Sequence, residues 1–152
     1  MIDTGIAPPH GMPLSSVFSL QLCPGHRKPM LFVASAAVIA GKGLDGDTHA
    51  IEESSRQILL IGKETLDELH LNPGDVKENI TTRNISLMRL QFKQQLLIGD
   101  SVVLEITKPC SPCSRMDEIR NGLRQQLAGK RGMLARVING GTIKTGDRIF
   151  VQ

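Results

Sequence analysis

Short apolar runs with a period of two dominate this chain, separated by breaks rich in Gly and Pro. From Val17 the pattern is strand-like: Phe18, Leu20 and Leu22 alternate with Ser19 and Gln21 until Cys23-Pro24-Gly25 ends the run. Met30 to Ala40 predicts a second, buried strand, and Gln57 to Ile61 a short, fully apolar third. Ser101 to Thr107 sets Val102, Leu104 and Ile106 against Val103 and Glu105, and Met133–Ile138 and Arg148–Val151 read as the last strands. Gly46-Asp47, Gly74-Asp75, Gly99-Asp100 and Gly146-Asp147 mark turns, since Gly supplies a positive φ and Asp caps the turn. Turn-then-strand units of this kind suit closed or half-closed β architectures.

Two stretches carry a helical period instead. Lys63 to His70 predicts a short helix closed by Asn72-Pro73-Gly74. A longer one is expected from Ser114 to Gly129, where Met116, Ile119, Leu123 and Leu127 share one face. Ser114 reads as its N-cap, Asp117 as an acid of its first turn and Gly129 as its C-terminal cap. The sum is a mostly β domain with a few peripheral helices over residues 15–152. Residues 1–14, with Gly5, Pro8, Pro9 and Gly11 and no apolar period, read as a flexible leader.

Composition narrows the function. The chain has 152 residues, enough for one domain, and its four Phe stand without Trp or Tyr. The core must therefore be built from Ile, Leu, Val and Met, and aromatic platforms for single-stranded nucleic acid are nearly excluded. A formal charge of +3 is spread rather than bunched, which suits an anionic small molecule and argues against nucleic acid. Three cysteines, Cys23, Cys110 and Cys113, cannot all pair, so a disulfide framework is not expected. The run Met30–Ala40 follows Arg27 and Lys28 but starts too late for a signal peptide and is too short for a bilayer. A cytoplasmic protein without a membrane segment is the expectation.

The sharpest local feature is Lys108-Pro109-Cys110-Ser111-Pro112-Cys113-Ser114, where a strand ends and a helix begins. Cys113 lies just before the helix N-cap, where partial positive charge stabilises a thiolate, and Lys108 and Arg115 act in the same direction. A thiolate attacks sulfur donors or ligates a soft metal, whereas a free Cys is otherwise often a small buried hydrophobe. Cys110-x-x-Cys113 with Cys23-x-x-His26 could also form a Cys3His zinc set if the loops meet. Gly41-Lys42-Gly43-Leu44-Asp45-Gly46-Asp47-Thr48-His49 is a glycine-rich turn whose amides could hold an anion, with His49 as a proton carrier or a surface residue. Val76 to Arg83 offers Glu78, Asn79, Thr81 and Thr82 for a polar heterocycle. Arg136 sits in an otherwise apolar strand and needs a carboxylate or phosphate partner, protein or ligand.

In order along the chain, these segments resemble the MOSC family, the domain found at the C-terminal end of molybdenum cofactor sulfurases. The resemblance runs from about Ser15 to Val151. It is carried by Gly43-Leu44-Asp45-Gly46-Asp47-Thr48-His49, Arg56–Ile61, Pro73-Gly74-Asp75 with Glu78–Thr82, Leu97–Asp100, Thr107-Lys108-Pro109 with Pro112-Cys113, Arg131-Gly132 with Ala135-Arg136-Val137, and Gly140–Ile143 before Gly146-Asp147. Asn84 stands where the family often has Gly, and Cys110 is an extra thiol that could resolve a persulfide on Cys113.

The resemblance implies a β-barrel-like fold and makes Cys113 the family's signature cysteine, carrying sulfur as a persulfide or contacting the molybdenum of a bound pterin cofactor. It places Glu78, Asn79, Thr81 and Arg136 on the pocket, to which the reading of the residues adds Lys42, Asp47, His49 and Arg131. By charge, Arg136, Arg131 or Lys42 would hold the pterin phosphate. The molybdenum cofactor (molybdopterin) is the expected cofactor, and pyridoxal phosphate is not expected on this chain alone. The first functional expectation is a stand-alone sulfur carrier that takes sulfur from a donor enzyme of the cysteine desulfurase type and delivers it to a metal–sulfur centre or molybdoenzyme. The alternatives are a molybdenum-cofactor oxidoreductase reducing N-oxygenated compounds with Cys113 as metal ligand, and a non-catalytic binding module. A nucleic-acid-binding barrel stands last.

Overall fold

The computed structural model describes residues 14–152, so the leader expected over 1–14 lies outside the described residues except for exposed Leu14. Strands β1 (Ser16–Leu22), β2 (Leu31–Val33), β5 (Ile58–Gly62), β6 (Ile80–Arg83), β7 (Gln95–Ile98), β8 (Val102–Pro109), β9 (Met133–Asn139) and β11 (Ile149–Val151) form one eight-stranded sheet. Its order is β11-β7-β8-β9-β5-β6-β1-β2, antiparallel except for the parallel pair β5–β6. The sheet curls until β1 meets the approach to β11, where Val17 N–H donates to the Asp147 carbonyl (2.8 Å) and Ile149 N–H to the Ser15 carbonyl (2.9 Å). A second sheet of β3 (Ser35–Ile39), β4 (Gly43–Leu44) and β10 (Gly141–Lys144) packs beside it in the order β10-β3-β4. The domain is thus mostly β and barrel-like, as expected. No helix among the described residues is long and apolar enough to cross a membrane.

The main core fills the curl. In β8 the alternation holds, with Val102, Leu104 and Ile106 buried, and each such side chain contributes about 1.5–3 kcal/mol through lost apolar surface. β5 is buried along its whole length because both faces are covered. Ile58 and Leu60 face the main core, while Ile61 joins Leu66, Val76, Met116, Leu123 and Leu127 in a second core under the helices.

Three expectations are corrected. Met30–Ala40 is two strands in different sheets, β2 and β3, broken at Ala34, and Leu31 and Phe32 on the sheet edge are exposed rather than buried. In β1 the register shifts between Val17 and Ser19, so Val17 and Leu20 enter the core while Phe18 is only half-buried, with Lys63 and Arg83 over its ring. The long helix from Ser114 is two short ones, α2 (Arg115–Ile119) and α3 (Leu123–Gln126), following α1 (Lys63–Glu68). Arg120 is extended (φ −158°, ψ 133°) and Gly122 left-handed (φ +85°), so the Asn121-Gly122 turn overrides the apolar period. Ser114 makes no side-chain cap, and Asp117 instead accepts the Arg124 N–H (3.0 Å) at the start of α3.

The turn chemistry holds. Gly46, Gly74, Gly99 and Gly146 all have positive φ, and Asp75 and Asp147 accept the N–H groups of Asn72 (2.8 Å) and Lys144 (2.9 Å). Asn84 takes φ +63°, the left-handed region expected of it.

Candidate functional site

β8 ends at Pro109, and the next residue is pinned by its N–H donating to the Gly132 carbonyl (2.9 Å). This turns the Cys110 side chain inward onto Leu59 and Leu134. The chain then rounds Pro112 and leaves Cys113 exposed, with its carbonyl accepting the Met116 N–H (3.0 Å) as α2 begins. The two thiols of the Cys-x-x-Cys stretch therefore have opposite environments.

Cys113 lies on the wall of a cavity of about 570 Å³. The segment after β1, with Cys23, His26 and Arg27, also lines it, as do His49 and Arg56. Arg27, Arg56, Lys77, Arg115 and Arg131 face Glu118 as the cavity's lone acid, so the site is strongly cationic. Two contacts tie its walls together: Arg115 Nη2 to His26 Nε2 (2.9 Å) and Arg27 Nη1 to Glu118 Oε1 (2.9 Å). The hydrogen bond from Arg27, and then its charge, hold the Glu118 carboxyl below its usual range.

Arg131 forms the floor and is only 6% exposed. Its Nη2 donates to the Val76 carbonyl (2.7 Å), but Nε and Nη1 have no protein partner. Burial pushes this guanidinium below the ordinary arginine range, opposed by the nearby Cys110, Glu78 and Cys113 side chains. The following Gly132 has φ +107°, and a β-carbon there would collide with the Leu60 carbonyl. Only Gly lets this stretch lie so close to β5 and seat Arg131 under the cavity. Orphaned, buried donors on a charged group are costly, and such a group calls for a partner from outside the protein, whether water, an ion or a ligand.

The residues expected at the site from sequence divide sharply. Cys113, His49 and Arg131 line the cavity. Asp47, Glu78, Asn79 and Thr81 are buried beneath it as a polar network. Asp47 accepts from Cys23 N–H (2.6 Å), His49 N–H (3.0 Å) and Asn79 Nδ2 (3.0 Å). Glu78 Oε2 accepts from Gly74 N–H (2.9 Å) and the Thr81 hydroxyl (2.7 Å), leaving Oε1 without a partner. Burial raises the Glu78 pKa above its usual value, against the pull of those hydrogen bonds and of Arg131. Lys42 lies outside the cavity, in the turn before β4. Arg136 lies on the outer face of β9, paired with Glu105 on β8 at 2.9 Å. The Cys3His set is not assembled: Cys110 faces the core, and among the described residues no three His, Cys, Asp or Glu gather to hold a metal.

Sequence reasoning did not place Arg27, Arg56 or Lys77 at the site. Arg56 and Lys77 stand inside stretches the sequence singles out, Arg56–Ile61 and Val76–Arg83, and Arg27 directly follows Cys23-x-x-His26, but none carries a signal beyond its charge. Lys77 takes φ +65° as the chain leaves the Pro73-Gly74-Asp75 turn for β6.

The site is thus a cationic cavity with an exposed thiol and a buried guanidinium in its lining, set against a curled β-sheet. The MOSC domain model matches residues 45–150, and the chain belongs to the MOSC family. Solved structures agree in fold. The YuaD protein from Bacillus subtilis superimposes with a TM-score of 0.79 at 17% identity, covering 91% of this chain and 96% of that one. YiiM from Geobacillus stearothermophilus gives 0.73 at 16% identity, covering 91% and 75%. YiiM from Escherichia coli gives 0.66 at 18%, covering 91% and 68%. No curated protein matches the chain. The MOSC family is associated with the molybdenum cofactor. The residues present fit such a group, since Arg131 has two free donors for its anionic oxygens and Cys113 offers a soft sulfur.

Proposed function

We propose that this domain carries sulfur on Cys113 and transfers it to an anionic acceptor of the molybdenum-cofactor class held in the cationic cavity. The observation that carries this reading is Arg131, buried with two unpartnered donors in the cavity that the exposed Cys113 lines.

Exposure lets the Cys113 thiolate meet a donor's persulfide. It attacks the outer sulfur, a new S–S bond forms on Cys113, and the donor leaves as its own thiolate. A cysteine desulfurase type of enzyme supplies sulfur in this form. Arg131 and Arg56 hold the acceptor's anionic oxygens, and the tethers Arg115–His26 and Arg27–Glu118 hold the two walls around it. The cofactor, when bound, supplies a molybdenum centre that accepts sulfur or serves redox chemistry. Three free cysteines fit a reducing compartment such as the cytoplasm.

One observation favours a second reading, a molybdenum-cofactor oxidoreductase with Cys113 as metal ligand: the cost of leaving Arg131 unpaired favours a ligand that stays bound. Protein purified from cells that make the cofactor separates the two. Cyanide-releasable sulfur without stoichiometric molybdenum, lost in Cys113→Ala, supports the carrier. Near-stoichiometric molybdenum lost in that variant supports the oxidoreductase. Neither element, in either protein, overturns both.

A further inference from the structure

Sulfur held on Cys113 as a persulfide is at the sulfane level, two electrons more oxidised than sulfide or a metal–sulfide ligand. If Cys113 is the carrier proposed above, release as sulfide needs a second thiol. Cys110 is the near candidate in sequence, but its side chain is packed on Leu59 and Leu134 and does not line the cavity.

Cys23 does line it, together with Cys113. It is buried and held firmly: its N–H donates to Asp47 Oδ1 (2.6 Å), its carbonyl accepts from Thr48 N–H (2.8 Å), and its thiol donates to the Gly25 carbonyl (3.4 Å). The segment that carries it is joined to α2 by the Arg115–His26 and Arg27–Glu118 contacts. Cys113 belongs to a stretch, 110–114, outside helix and strand. A disulfide brings α-carbons within about 4.4–6.8 Å, so a bond between the two cysteines requires the 110–114 stretch to approach Cys23 across the cavity. Beneath lies Arg131, nine-tenths buried, with two donors free to receive an anion.

We propose that Cys23 is the resolving thiol of a Cys113 persulfide. The Cys23 sulfur attacks Cys113 Sγ, a bond forms between the two cysteine sulfurs, and the bond from Cys113 to its outer sulfur breaks. The outer sulfur gains two electrons, one formally from each cysteine sulfur, and leaves with the Cys23 proton as hydrosulfide or hydrogen sulfide beside Arg131. A cellular dithiol then reduces the Cys23–Cys113 disulfide and resets the site.

The test loads the full chain with inorganic polysulfide, desalts it without reductant, and follows alkylated protein by intact mass, peptide mapping and sulfide assay. The expected result is a Cys23–Cys113 linked peptide with about one sulfide released per link. Cys23→Ser should keep the Cys113 persulfide at least tenfold longer, with Cys110→Ser behaving like wild type. The linkage found in the wild-type protein decides the matter even if a variant folds poorly. A Cys110–Cys113 link, or a wild-type persulfide as persistent as that of Cys23→Ser, overturns the role of Cys23 while leaving the carrier standing. No persulfide on Cys113 in any of the proteins overturns both.

Discussion

Asn79 Nδ2 donates to Asp47 Oδ1 at 3.0 Å, and this buried contact joins the residue just before β6 to the glycine-rich turn and, through Cys23, to the cavity lining. Both side chains are otherwise saturated: Asp47 also accepts from Cys23 and His49, while Asn79 accepts from Leu59 N–H (3.0 Å) and donates to the Gln21 carbonyl (3.2 Å). Asp47→Ala leaves three donors unpaired and should cost about 2–4 kcal/mol in chemical denaturation. Asn79→Ala should fall in the same range, with the double variant losing less than the sum because the two share one network. A cost below about 0.5 kcal/mol for either would show that the network does not hold the site together.

Arg131 should behave in the opposite sense. Arg131→Met removes a buried cation with two orphaned donors, so the ligand-free protein should be as stable as wild type or up to about 1 kcal/mol more so. Millimolar sulfate, as a probe anion, should stabilise wild type by RT ln(1 + [L]/Kd), about 2.7 kcal/mol at a hundredfold excess over Kd. It should do nothing specific for the variant. Equal sulfate effects in thermal unfolding of the two proteins would remove Arg131 from the anion site.

This division also shows how far the sequence could be read. The period of two in β8 and the Gly-Asp turns were legible because each rests on local backbone chemistry. Cys113 and Arg131 were legible because the family's motifs mark them. Glu78, Asn79 and Thr81 look in sequence like ligands for a polar heterocycle and Asp47 like a pocket residue of the glycine-rich turn, yet the structure shows all four buried and bonded to one another, to the backbone and to Gln21. A polar side chain reads the same whether its partner is protein or ligand, and only the fold decides. Phe18 and the α2–α3 break were hidden for a related reason: one bulge, or one Asn-Gly turn, changes which face a residue presents without disturbing the apolar spacing.

Arg136 gives that ambiguity a direct test. Its guanidinium is half-exposed and meets Glu105 with both Nε (3.0 Å) and Nη2 (2.9 Å), directly across the β8–β9 ladder. A partly solvated cross-strand pair contributes little, so Arg136→Ala should cost about 1 kcal/mol or less. Polysulfide loading of Cys113 and molybdenum content should match wild type. A loss of either in a normally folded variant would place Arg136 back among the ligand-holding residues.

Glu78 predicts a pH signature. Burial raises its folded-state pKa above the unfolded value, so the folded protein binds the proton more tightly than the unfolded chain does. The stability gained is fully present below the unfolded pKa of about 4.3 and is lost as pH rises through the folded pKa. Wild type should therefore lose stability relative to Glu78→Gln as pH increases over that window, by no more than about 1.4 kcal/mol per pH unit for one proton. The Gln side chain preserves an acceptor for Gly74 N–H and Thr81, so the difference isolates the charge. Arg131 is a cation acting on Glu78 and opposes the shift. In an Arg131→Met background the window between the protein with Glu78 and its Glu78→Gln variant should widen toward higher pH, which denaturation curves at successive pH values will read. Parallel pH profiles with and without the Glu78→Gln change, in both backgrounds, would mean that the buried carboxyl keeps its ordinary titration and that the two buried groups do not feel each other.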